Sequence, residues 1–166
     1  MMRRRVIVAA VALALGLAAT TMLKKKTTIY DNGIVSMEVK DTTQLEDGMH
    51  DGGKLTVESG CSFLEIKQSS IHDAEAYLKN ARDALDKVGE IDDFRIQYRA
   101  GNPVLYQSVF YYRHGSMHGE YRMKILTNSD KQIIAVAYCA DGDDSGEVIG
   151  LYNSIRMAEG GLDIED

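Results

Sequence analysis

The sequence predicts an α+β fold: an antiparallel sheet covered by helices, preceded by one N-terminal transmembrane helix. Three observations carry this. Residues 94 to 140 alternate polar and apolar side chains with a period of two, broken by turn signals. Two stretches, near 71–88 and 147–156, switch to helical spacing. Val6 to Leu23 carry no charge and are flanked by Arg3-Arg4-Arg5 and Lys24-Lys25-Lys26.

In chain order, the first element is that flanked apolar stretch. Its length as a helix, about 27 Å, just crosses a hydrocarbon core. The lysines resemble a stop-transfer flank, so an uncleaved signal anchor is expected. Secretion after signal-peptide cleavage is the alternative, with Gly16-Leu17-Ala18 a fair cleavage match. Arg3 to Arg5 and the α-amino group outweigh the lysines by about one charge, which favours a domain outside the cytoplasm. The chain thus divides into a membrane segment at 1–26, a globular domain at 27–158 and a loose acidic tail at 159–166.

Asp31-Asn32-Gly33 is a tight-turn signal between a short strand and one with Val35, Met37 and Val39 on one face. Asp41 to Gly53 reads as a loop. Lys54–Ser59 and Cys61–Gln68 read as strands broken at Gly60. A helix is expected over about 71–88, with Ser70 and Asp73 as a capping box, an Ala74, Leu78, Ala81, Leu85, Val88 stripe, and Gly89 beyond its end. Phe94, Ile96 and Tyr98 define a half-buried strand. Val104–Arg113 is apolar on both faces, so a central strand covered twice is expected. A hairpin loop over 114–119 leads to a one-sided strand with Tyr121, Met123 and Ile125 inward and Glu120, Arg122 and Lys124 outward. Gln132 to Cys139 is apolar throughout, a buried strand. Val148, Leu151, Tyr152 and Ile155 mark a closing helix, capped by Asp143, Asp144 or Ser145.

Charge narrows the function. Beyond residue 26 all 25 acidic residues oppose 13 of the 19 basic ones, a formal −12. That argues against nucleic acid and against lying on an anionic lipid surface. It suits cation binding, a basic partner or plain solubility.

Candidate sites follow from residue chemistry. Asp141, Asp143 and Ser145 place oxygens at positions 1, 3 and 5 of an EF-hand-like loop, with Gly146 at 6 and Glu147 after it. Tyr152 stands where the bidentate glutamate belongs, so a weak calcium site or a helix-capping acidic turn is expected. His114 and His118 flank a hairpin and would need further ligands to hold a metal. Cys61 and Cys139, each in a strand, are a candidate disulfide or two buried thiols. Six of the nine tyrosines lie in expected strands, as core or cross-strand pairs. No hydrolase, phosphate-loop or paired-carboxylate signature stands out.

The segments Val35-Ser36-Met37-Glu38-Val39, Cys61-Ser62-Phe63-Leu64-Glu65-Ile66 and Ile133–Tyr138 with Tyr152-Asn153-Ser154-Ile155-Arg156 resemble the PsbP-like family over about residues 28–158. The resemblance implies an α/β/α sandwich, a membrane-attached bacterial protein and a binding or assembly role. No catalytic residues and no cofactor carry over. The expectation is a non-enzymatic extracytoplasmic accessory domain, held at the membrane by residues 6–23 and engaging an unidentified protein partner. A metal-dependent envelope enzyme, or a weak calcium-binding protein using the 141–147 loop, is the alternative.

Overall fold

The computed structural model describes residues 26–158 apart from Asp144. The expected membrane segment and acidic tail lie outside them. Among the described residues, no helix is long and apolar enough to cross a membrane.

Strands β1 (Thr27–Asp31) and β2 (Val35–Lys40) form the hairpin expected from Asp31-Asn32-Gly33. The Asn32 side-chain oxygen accepts from the amides of Ile34 and Val35 at 3.0 and 2.9 Å. Gly33 takes the left-handed φ of 77° that the turn requires. After β3 (Leu45–Asp47) come β4 (Lys54–Ser59), β5 (Ser62–Gln68), helix α1 (Ala74–Asp86), β6 (Glu90–Arg99), β7 (Val104–His114), β8 (Met117–Thr127) and β9 (Gln132–Ala140). Helix α2 (Gly146–Ser154) and β10 (Arg156–Met157) close the described chain.

Seven strands make one antiparallel sheet in the order β3-β4-β5-β9-β8-β7-β6, and β1-β2-β10 make a second. One face of the long sheet packs Leu55, Leu64, Ile66 and Ala137 against α2 and the small sheet. The other packs Phe110, Tyr112, Met123 and Ile125 beneath Leu78 of α1. On that second face an aromatic ladder runs across five strands. Phe63, Tyr138, Tyr121, Phe110 and Phe94 touch in succession, at centroid separations of 5.9, 4.9, 5.6 and 5.7 Å. Cross-strand tyrosine pairing was legible in the sequence, and Tyr98–Tyr106 at 4.9 Å is another case.

The helix-covered α/β/α sandwich is not what forms. Strands take 53% of the described residues and helices 19%. The fold is α+β in kind but mostly sheet. The physical reason is length. Helices of 13 and 9 residues span about 20 and 14 Å, whereas six gaps between seven strands span about 29 Å. Two such helices cannot cover both faces. The small sheet shares one face with α2 because β10, two residues after that helix, pairs with β2 and not with the long sheet.

Other expectations are corrected locally. The 41–53 stretch contains β3 and a single 3-10 turn at Met49–Asp51. Helix α1 begins later than expected: Asp73 itself is the N-cap and accepts from the Ala76 amide at 2.9 Å. The hairpin after β7 turns at Gly115-Ser116, so His118 and Gly119 belong to β8. Strand β7 is next to the edge strand; its Phe110 and Tyr112 face is covered, and on its other face Leu105 alone packs against the α2-side core.

Candidate anion-binding face

Register places the charged residues of three strands on one surface. Arg95 pairs with Val109, Val109 with Arg122, Arg122 with Ala137, and Ala137 with Leu64. The next row runs Gln97, Gln107, Lys124, Ala135, Ile66. Apart from Val109, each row is therefore charged or polar over β6 to β8 and apolar over β9 and β5. The apolar half lies under α2 and the small sheet; the other half is uncovered. A bulge between Asp92 and Arg95, with Asp93 at φ 57°, sends Phe94 to the α1 side and Arg95 to this open side.

Five of the six arginines beyond residue 26 gather here: Arg95, Arg99, Arg113, Arg122 and, from β10, Arg156. Some are neutralised. Arg122 meets Glu120 at 2.6 Å, and Arg113 meets Asp92 at 2.7 Å and Glu90 at 3.3 Å. Arg95 and Asp93, 3.8 Å apart and both well exposed, gain little from each other. Arg99, Lys124 and Arg156 form no ion pair among the described residues.

Lys124 is the unusual member. It is 6% exposed, and its ammonium donates to the Tyr152 carbonyl and sits 4.3 Å from that ring's centroid. Burial pushes its pKa down to about 7, and Arg156 and Arg99 push the same way. Arg156 donates to the Asn153 and Ile155 carbonyls, both at 3.0 Å. Above the same rows, the Tyr152 hydroxyl is buried without a hydrogen-bond partner. Burial raises its pKa, and it feels the opposed charges of Arg122 and Glu120. Two depressions flank the Lys124 row. One of about 370 Å³ is lined by Arg95, Gln97, Tyr111 and Glu120. The other, about 590 Å³, is lined by Arg156, Ser36, Asn102, Asn128 and Asp31.

The residues singled out from sequence are drawn apart. Asp143 accepts from the Cys61 amide at 2.6 Å and from Ser62 Oγ at 3.3 Å, which fastens the β4–β5 turn. Asp141 accepts from the Tyr111 hydroxyl, and Glu147 from the Thr43 hydroxyl. Ser145 occupies the N-cap of α2 but makes no side-chain capping bond. The described carboxylates of the loop, Asp141, Asp143 and Glu147, thus bond to three separate parts of the chain. Among the described residues no three His, Cys, Asp or Glu side chains converge as metal ligands. His114 pairs with Met117 and Arg113 with His118, so the two histidines face opposite sides of the hairpin. His118 Nε2 lies 2.9 Å from the Gly115 carbonyl.

Both cysteines are free thiols, contrary to the candidate disulfide. Strands β5 and β9 are neighbours, so both residues reach the same end of the sheet. Cys139 packs on the α2 face, whereas Cys61 is exposed in the β4–β5 turn. Its burial, with Glu120 opposing Arg122, pushes the Cys139 thiol up, which makes it inert.

Compared with models of known families and with curated proteins, the chain matches none.

Proposed function

We propose that this chain is a membrane-anchored, extracytoplasmic binding domain without catalytic activity, and that its uncovered half-sheet receives an acidic segment of a protein partner. One observation carries the reading: a domain of formal charge −8 over residues 27–158 places four of its six arginines, Arg95, Arg99, Arg113 and Arg122, on the half-face that its helices leave open, with Arg156 beside it on β10. Charge complementarity steers and registers partners. The anchor and its orientation are supported by the uncharged 6–23 stretch and its unequal basic flanks.

The test is site-specific photo-crosslinking of the full chain in its own membranes. A crosslinker replaces Gln97 or Gln107 on the open face, with Thr56 on the opposite face as control. A discrete adduct from the first two positions alone, abolished by adding Arg99→Glu, supports the reading. Equal adducts from Thr56, or none from either Gln position, overturn it. Protease added outside intact cells digests the domain if the orientation is right and spares it otherwise.

A further inference from the structure

We infer that Arg99, Lys124 and Arg156 form one oxyanion site at the C-terminal end of α2, which takes a carboxylate or phosphate group carried by the partner. This rests on the binding-domain reading above and names the chemistry of its contact.

Geometry brings the three cations together. Lys124 and Arg156 both donate into the last turn of α2, to the carbonyls of residues 152, 153 and 155. Arg99 pairs with Leu105, and Leu105 with Leu126, the row beside the one that holds Lys124 and Gln107. Arg99 thus stands two strands and one row from Lys124, near enough for its charge to oppose that of the lysine. The bland account is that two cations cap a helix C-terminus. Magnitude limits that account. A helix end offers about half a negative charge, against up to three positive ones. Burying an unpaired ammonium costs several kcal/mol, so the surplus is an expensive arrangement for a cap alone.

The surroundings suit an anion that arrives from outside. Arg99 and Arg156 are exposed, and Arg156 lines the groove of about 590 Å³. Asn128 uses its side-chain oxygen on the Asp130 and Lys131 amides at 3.0 and 2.7 Å, so its NH₂ remains to donate into that groove. Asp31 is the one carboxylate on the lining, and it accepts from the Gly33 amide at 2.8 Å. Guanidinium groups match oxyanions bidentately, while the buried lysine supplies field from below.

The site lies at the opposite end of β1 from where the chain enters the domain. Arg156 aligns with Ser36 and Ser36 with Asp31, while Thr27, at the other end of β1, aligns with Lys40. Four residues of strand separate those ends by about 14 Å. A soluble or protein-borne oxyanion therefore fits better than the headgroups of the membrane that holds the chain. Around Lys124, α2 contributes Tyr152, β10 Arg156 and, two strands away, β6 Arg99; Arg122 lies two residues along its own strand, paired with Glu120, and its cross-strand neighbours Gln107 and Ala135 are neutral. An anion on the two arginines relieves their repulsion, so Lys124 takes up a proton from solvent as the anion binds.

The experiment is calorimetric titration of the full chain, in phosphatidylcholine nanodiscs near pH 7, with inorganic phosphate and with malonate in two buffers of different ionisation heat. We expect saturable binding of at least one probe, weakened about tenfold by Arg99→Gln or Arg156→Gln but less than about twofold by Arg95→Gln, in keeping with loss of a charge-assisted bond. We expect net proton uptake that Lys124→Met abolishes. Arg156→Gln also removes two capping bonds, so Arg99→Gln, which has no such duty, decides if the other variant unfolds. No saturable binding, or equal weakening by Arg95→Gln, overturns the site. Phosphate affinity that falls when phosphatidate is added to the discs gives the site to the membrane and overturns the assignment to a partner. Crosslinks from Gln97 without anion binding would remove this site alone; Arg99-dependent anion binding without crosslinks would keep the site and remove the protein partner.

Discussion

Lys124→Met is the most informative single change. The lysine is 6% exposed and holds its proton less tightly than an ordinary lysine, with the pKa lowered from 10.5 to about 7. The sign follows from proton counting. Below about 7 the side chain is charged folded and unfolded, and folding bears the whole cost of burying the charge. Between about 7 and 10.5 the unfolded chain binds a proton that the folded chain releases, so stability rises with pH across that window. The full drop corresponds to about 5 kcal/mol, and the part that falls between pH 6 and 9 to about 3 kcal/mol.

Methionine fills a similar volume without charge, so its pH dependence lacks this contribution. It also leaves the Tyr152 carbonyl without its donor, which costs about 1–3 kcal/mol at every pH. The absolute stability change at one pH therefore mixes two effects, and the difference in slope isolates one. Urea unfolding of wild type and variant at a series of pH values is the assay. The wild type should gain about 3 kcal/mol more than the variant between pH 6 and 9. At pH 6 the variant should be the more stable of the two. Parallel curves would show that Lys124 is charged or solvated throughout, and would refute the argument from burial and repulsion.

A Cβ on Gly119 would strike the Cys139 carbonyl oxygen and lie 2.9 Å from the Tyr138 ring, so Gly119→Ala should cost about 3 kcal/mol or more in urea unfolding. Asp143→Ala should cost about 1 kcal/mol by removing the acceptor of the exposed Cys61 amide, with melting temperatures of wild type and variant shifted no further by calcium than by magnesium. A maleimide should label native protein once, at exposed Cys61, and reach Cys139 only after unfolding; an oxidant should form no internal disulfide.

The sequence was legible wherever period and turn chemistry suffice. The Asp31-Asn32-Gly33 hairpin, the buried Gln132–Cys139 strand and the Val148, Leu151, Tyr152 face of the last helix all form as their spacing implies. What period cannot express is coverage. Arg95, Arg122 and Lys124 each stand on the polar side of an alternating strand, and that much can be read residue by residue. That β6, β7 and β8 lie side by side, so that three polar sides become one surface, depends on strand order. Lys124 read as solvent-facing by alternation; it is buried because α2 crosses the edge of the polar half and lays Tyr152 over it. β10 escaped for a related reason: two residues carry no periodicity, yet their pairing with β2 fixes the second sheet.

The acidic loop shows the same limit from the other direction. Asp141, Asp143 and Glu147 were read as neighbours because they are close in sequence, and calcium chemistry needs oxygens that point inward together. Their partners are Tyr111, Cys61 with Ser62, and Thr43, from three parts of the chain. Each bond ties the loop to a different strand, turn or loop. The loop that starts α2 is thus pinned at three points. Pinning it sets where the helix begins, and the helix's length then sets where its last carbonyls fall over Lys124. The carboxylates of Asp141, Asp143 and Glu147 hold the loop from which that helix starts.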